Sequence, residues 1–155
     1  MTRILFVCLG NICRSPMAEF LMRDLLRQHA CADRFDIDSA GTSGWHDGDN
    51  MHEGTANILN KLHINNSGFG SRKVHAADFE AFDYVVAMDA DNLQQLETRF
   101  GQHPDKMFVI TDLVPHLGYN GVPDPWFTQD FGETQHLLQA ACKALLHHIQ
   151  TQAKA

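Results

Sequence analysis

The chain has 155 residues, 44% hydrophobic and 20% charged, with a net charge of −7. That length suits one domain, residues 1–155, with a core of its own, and no apolar run is long enough for a membrane span. The acidic balance argues against a nucleic-acid partner, which favours basic patches.

The first element is a strand. Thr2 to Val7 holds the continuous apolar run Ile4-Leu5-Phe6-Val7, which suits a central parallel strand covered on both faces. Ile4 to Leu9 is too short for a signal peptide, so the cytoplasm is the expected compartment. From Ser15 to about Ala30, Met17, Phe20, Leu21 and Leu25 recur at helical spacing. Arg34 to Ser39 alternates, Phe35 and Ile37 against Asp36 and Asp38, as an edge strand with one wetter face does.

Gly41 to Met51 is a Gly- and Asp-rich loop with Trp45 near its middle. His52 to Leu62 is expected to be a helix with Thr55, Ile58, Leu59 and Leu62 on one face, and Asn65 to Arg72 a polar loop. Asp78 to Ala81 is a short helical turn. Asp83 to Met88 is the second central strand, and Asp89 stands at its C-terminal end, before a helix over Ala90 to Phe100. Met107 to Ile110 is a fourth strand, Thr111 to Val122 a loop, and Gly132 to about Gln150 the last helix. His136, His147 and His148 on that helix lack a metal spacing and are expected to face solvent.

The chemistry concentrates in Cys8-Leu9-Gly10-Asn11-Ile12-Cys13-Arg14-Ser15, between the first strand and first helix. A cysteine attacks as thiolate, and a loop ending at a helix N-terminus offers free N–H groups that stabilise an anion. The same donors bind a phosphate. Arg14, six residues after Cys8, can curl onto that anion, and its planar fork bonds two phosphate oxygens at once. Gly10 and Asn11 tolerate positive φ, which turns successive N–H groups inward. Ser15 is expected to cap the helix and to donate to the thiolate. Pro16 gives up an N–H that is unpaired in a first helical turn anyway.

A phosphate ester also needs a general acid opposite the nucleophile. Asp124 sits between Pro123 and Pro125, with Trp126 and Phe127 following, and Pro125 biases it to an extended conformation. Trp45 and Trp126 are candidate walls for an aromatic slot. Asp89 is a candidate partner for Arg14, a helix cap, or both. The alternative for each of these residues alone is structural: a buried cysteine, a turn aspartate with a capping bond, a tryptophan that anchors its loop.

Cys8 to Ser15, extended through Pro16-Met17-Ala18-Glu19, resembles the low-molecular-weight protein tyrosine phosphatase family. Asp38 to Thr42, Phe82 to Asp89 and Asp124-Pro125 carry the likeness along nearly the whole chain. The resemblance implies dephosphorylation of phosphotyrosine proteins or peptides through a phosphocysteine, with no cofactor and no metal. Leu9, Gly10, Asn11, Ile12, Cys13 and Ser15 would then line the phosphate loop, with Ser39 and Asp89 supporting. The expected fold is α/β: a four-stranded parallel sheet, order 2-1-3-4, helices on both faces, a flavodoxin-like three-layer sandwich.

Of the four cysteines, Cys31 and Cys142 fall in helical stretches and are read as packing residues. For Cys13 the resemblance implies a reversible disulfide with Cys8; the alternative is a small buried residue behind the loop. Gly68 stands where many members carry a histidine that bonds the loop asparagine, so Asn11 needs another anchor, with Ser39 and Ser15 the candidates. Trp126 and Phe127 replace two phosphorylatable tyrosines common in the family. Two rival functions are thiol-linked arsenate reduction, disfavoured because Val74 to Asp91 holds no cysteine, and a non-catalytic phosphate-binding module, disfavoured because both thiol and acid are present.

Overall fold

The computed structural model describes residues 1–153. Strand β1 (Thr2–Cys8) lies inside the sheet, and Ile4 through Cys8 are all buried. Its two faces feed two cores, which is why its sequence is continuously apolar rather than alternating. Ile4, Phe6 and Cys8 pack with Met17, Leu21, Leu138 and Leu145, while Leu5 and Val7 pack with Val85, Leu96 and Met107.

Strands β2 (Phe35–Gly41), β3 (Tyr84–Ala87) and β4 (Met107–Val109) complete a parallel sheet of order β2-β1-β3-β4, as expected. Helices α1 (Arg14–Gln28), α2 (Glu53–Lys61) and α6 (Phe131–Ala153) cover one face. The short α3 (Asp78–Ala81) and α4 (Ala90–Phe100) cover the other. A single turn, α5 (Pro125–Thr128), stands beside the C-terminal ends of the strands. No helix among the described residues is long and apolar enough to cross a membrane.

Several boundaries differ from the sequence expectation. Arg34 ends a 3-10 turn rather than opening β2, and β2 runs on to Gly41 because Ser39, Ala40 and Gly41 pair with Phe6, Val7 and Cys8. Ile110 opens a 3-10 turn instead of closing β4, and a second turn at Pro115–Leu117 organises the segment expected as plain loop. Cys31 lies just past α1, buried, its N–H bonded to Leu26 O. His148 is not simply solvated: its ring packs edge-on to Tyr84 and Phe108.

The two inner strands, β1 and β3, end side by side where chain order reverses. Open parallel sheets gather their ligands at that switch point. Cys8 and the loop after it leave β1 there, and Asp89 leaves β3.

Candidate active site

Between β1 and α1 the chain curls so that the backbone N–H groups from Gly10 to Ser15 donate to no protein acceptor among the described residues. Such a run of free donors at a helix start is an anion cradle. Cys8 lies at its base, 3% exposed, with Arg14 equally buried. Asn11 takes the left-handed conformation, φ +56°, that the sequence predicted. Gly10 does not: its φ is not positive, and it lies instead against His46, whose Cδ2 would stand 3.1 Å from an added Cβ.

Asn11 is wholly buried and turned away from the pocket. Its Nδ2 donates to Ser15 Oγ at 2.8 Å and to Ser39 Oγ at 3.0 Å, and its Oδ1 accepts from the Arg72 backbone N–H at 3.0 Å. Ser71 Oγ donates to the Asn11 carbonyl at 2.6 Å. Ser39 in turn donates to Glu19 Oε1 at 2.6 Å, and Arg23 pairs with the other Glu19 oxygen at 2.7 Å. Ser39 and Ser15 thus hold Asn11 as expected, and Arg72 adds a backbone donor from a distant loop. Arg72 is itself clamped by Asp38 and Asp78.

Ser15 is not a cap. Helix α1 begins one residue earlier, and its N-cap Cys13 makes no side-chain capping bond. The Ser15 hydroxyl serves the sulfur instead: Oγ lies 3.0 Å from Cys8 Sγ, with a second acceptor, Ala40 O, at a longer 3.5 Å. Oγ accepts from Asn11, and its single proton can turn to Cys8 or to Ala40 O.

Arg14 is oriented from three sides. Its Nη1 donates to Asp89 Oδ2 at 2.6 Å and to Val122 O at 3.0 Å, and its Nη2 lies 3.4 Å from Asp124 Oδ2. Asp89 holds both roles the sequence allowed, since its Oδ1 also accepts the Asn92 N–H and caps α4. Gly121 permits this junction. It bridges to Asp89 with φ +132°, and a Cβ there would meet the Asp89 Cβ at 2.9 Å.

Burial by itself lowers the Arg14 pKa, but the interaction with the Cys8 sulfur, its hydrogen bond to Asp89 and the charge of Asp124 outweigh it and raise the pKa above its ordinary value. Cys13 moves the other way as a thiol. Burial, with the charges of Cys8 and Asp124 adding and Arg14 opposing, pushes it up to about 12. The two cysteines of the loop differ in their partners, since of the two sulfurs the Ser15 hydroxyl lies against that of Cys8 alone.

A pocket of about 210 Å³ opens above the loop. Cys8, Leu9, Gly10, Ile12, Cys13 and Arg14 form its base, and Trp45, Asp124 and Trp126 its walls. Asp124 caps α5, accepting from the Trp126 N–H at 3.0 Å, so the capping and pocket-lining roles coexist. Trp45 and Trp126 remain 76% and 50% exposed at the pocket's edge. Asn11, Ser15 and Ser39 stand behind the pocket and Asp89 beside Arg14. His46 and Phe127 also line the pocket and were not singled out in the sequence. A histidine in a Gly- and Asp-rich loop gives no periodic signal, and Phe127 reads only as the neighbour of Trp126. Glu19, likewise missed, looks in sequence like the solvated half of an i,i+4 pair with Arg23. No three His, Cys, Asp or Glu side chains converge as a metal-binding group among the described residues.

Comparison with known proteins converges on one family. The profile of the low molecular weight phosphotyrosine protein phosphatases matches residues 3–155. The low molecular weight protein-tyrosine-phosphatase YfkJ of Bacillus subtilis is 42% identical over 151 residues, 97% of each chain. The crystal structure of YfkJ superposes with a TM-score of 0.94, covering 98% of this chain and 96% of that one at 41% identity. The Streptococcus pyogenes low molecular weight protein tyrosine phosphatase SP-PTP gives 0.84 at 39% identity, covering 96% and 93%.

Proposed function

This chain belongs to the low molecular weight phosphotyrosine protein phosphatase family, and on that premise we propose how its residues hydrolyse phosphotyrosine. The phosphate dianion sits on the free N–H groups of Gly10 to Ser15, with Arg14 on its equatorial oxygens. The Cys8 thiolate attacks phosphorus in line while Asp124 protonates the departing phenolate oxygen. Water then attacks the phosphocysteine with Asp124 as base, and the Ser15 hydroxyl stabilises the sulfur as it leaves. Arg14 and the amides hold the phosphoryl group through both steps, which removes the cost of repositioning between them.

One arrangement carries this reading: a buried sulfur with a hydroxyl donor at 3.0 Å, under a run of free N–H groups, beside a guanidinium that touches the candidate acid. The substrate is a phosphotyrosine-bearing protein or peptide. A thiol at the base of a pocket walled by Trp45 and Trp126 suits an aryl phosphate better than the shorter phosphoserine. Cys13 is the candidate partner of Cys8 in a reversible, protective disulfide, the role the family resemblance implies.

Rapid-quench mass spectrometry with an aryl phosphate tests the mechanism directly. The expected result is a transient phosphoryl adduct on the peptide holding Cys8, formed with a burst of phenol. Turnover with no adduct, or an adduct on another residue, removes Cys8 from the role.

A further inference from the structure

The first turn of α2 touches both loops of the catalytic pocket. Two of its bonds reach the Cys8 loop: the His52 N–H donates to Ile12 O at 2.7 Å, and the Thr55 hydroxyl donates to Cys13 O at 3.0 Å. Both engage carbonyls of that loop and leave its free N–H groups to the pocket.

The His52 ring reaches the opposite loop. It stacks on Phe131 at the start of α6, with centroids 5.0 Å apart and planes inclined by 24°. Against Trp126 it stands edge-on, at 5.6 Å and 84°. The Gly54 N–H can only donate, so His52 Nδ1 is its acceptor at 2.9 Å, and this cap of α2 fixes the rotation of the ring. Phe131 packs on the main core and lies so close to α2 that a Cβ on Gly54 would come within 2.5 Å of its ring. The His52 ring is therefore pinned to the scaffold by one bond and one stack. Trp126 stands half exposed on the single turn α5, and its other ring neighbour, His46, is farther off at 6.4 Å and tilted.

Trp126 is also the residue whose backbone N–H donates to Asp124 Oδ1. A continuous path thus runs from the Cys8 loop through the main chain and ring of His52 to Trp126, and from there to the carboxylate. Aromatic pairs in edge-on and offset-stacked geometry attract beyond simple burial. A reacting group displaced by about 1 Å can lose about a hundredfold in rate.

We propose that His52 is a positioning residue for the reaction, whose main chain holds the Cys8 loop and whose ring, through Trp126, sets where Asp124 stands relative to the sulfur. The proposal rests on Asp124 being the general acid. His52 does not line the pocket, so it acts through these neighbours and not on the substrate.

The cap and the ring can be separated. His52→Asn keeps a capping oxygen and removes the ring; His52→Phe keeps the ring and removes the cap. The test measures kcat/KM, which reports the step that expels the leaving group, on phenyl phosphate and on para-nitrophenyl phosphate, with melting temperatures alongside. Asp124→Ala, Trp126→Ala and the Trp126→Ala, His52→Asn double variant complete the set. His52→Asn should melt within a few degrees of wild type, lose about fivefold or more on phenyl phosphate, whose poor leaving group needs the acid, and stay within about twofold on para-nitrophenyl phosphate. His52→Phe should keep the wild-type ratio of the two esters and melt a few degrees lower. Adding His52→Asn to Trp126→Ala should cost less than about twofold more, since the ring acts through Trp126.

A His52→Asn chain that does not fold, that loses equally on both esters or that loses on neither overturns the proposal. So do fully additive losses in the double variant, or a His52→Phe enzyme with the ester pattern expected of His52→Asn. Equal losses on both esters in Asp124→Ala would instead overturn the acid assignment itself, and the proposal with it.

Discussion

The loop that carries Cys8 and the loop that carries Asp124 face each other across one pocket and are held in different ways. Around Cys8, from Asn11 to Glu19, every residue is buried, and the Asn11 side chain has both its Nδ2 hydrogens and its Oδ1 engaged by fixed groups. Around Asp124 the aromatic neighbours stand in solvent, Trp126 half exposed and Phe127 77% exposed. The carboxylate there is held by its own cap and one long contact to Arg14. The Cys8 side is preorganised, so it can stabilise a bound anion without rearranging. The Asp124 side sits on a single exposed turn, as the general-acid role proposed for it would require if leaving groups differ in shape.

Four experiments break or sharpen that contrast. The largest effect belongs to Cys8→Ser, which should cut turnover at least about 10⁴-fold while leaving phosphate binding intact. Phosphate release and calorimetric titration with inorganic phosphate measure the two separately. Asp124→Ala should slow esters of poorly acidic phenols by about 10² to 10⁴ and those with good leaving groups much less. An equal loss across a series of phenols would remove Asp124 as the acid.

Asn11→Ala attacks the frame rather than the chemistry. It takes one donor each from Ser15 and Ser39 and leaves the Arg72 N–H without its acceptor, so urea unfolding should show a loss of about 3 kcal/mol. Turnover should fall between about ten- and a hundredfold as the loop loosens. A variant of unchanged stability would show that the network is not what holds the loop.

The smallest effect concerns Glu19. Burial raises its pKa above the ordinary 4.5, although Ser39 and Arg23 oppose the shift. The folded form then binds its proton more tightly than the unfolded form. Its contribution favours folding below pH 4.5 and is lost as pH rises from there through the higher folded value. Glu19→Gln keeps an acceptor for Ser39 and should flatten that part of the stability–pH curve, read by thermal melts from pH 4 to 7. An unchanged slope would assign the pH dependence elsewhere.

What the sequence made legible follows from local rules. The apolar central strands, the crossover helices α1 and α4 and the family resemblance point to a parallel sheet in the observed order. Cys8, Arg14 and Asp124 could be named as candidates because the chemistry demands those residue types, and the structure brings all three to one pocket. Ser15 is where residue type misled in part: serine at a helix start suggests a cap, but its hydroxyl pairs with the sulfur 3.0 Å away instead. Arg72 was out of reach because it supports Asn11 through a backbone N–H from 61 residues away, which any residue but proline could donate. Gly121 reads as one of two loop glycines, and only the packing against Asp89 shows that a larger residue would force the acid loop off β3.

Asp89 divides its two oxygens between a helix and an arginine. One side chain thus belongs to both scaffold and machinery, and thermal softening of the first turn of α4 must slacken the guanidinium at the same moment. Loss of activity on heating and fraying of that corner should follow a single curve. A lineage that remodels this helix start has to find Arg14 a new tether in the same stroke.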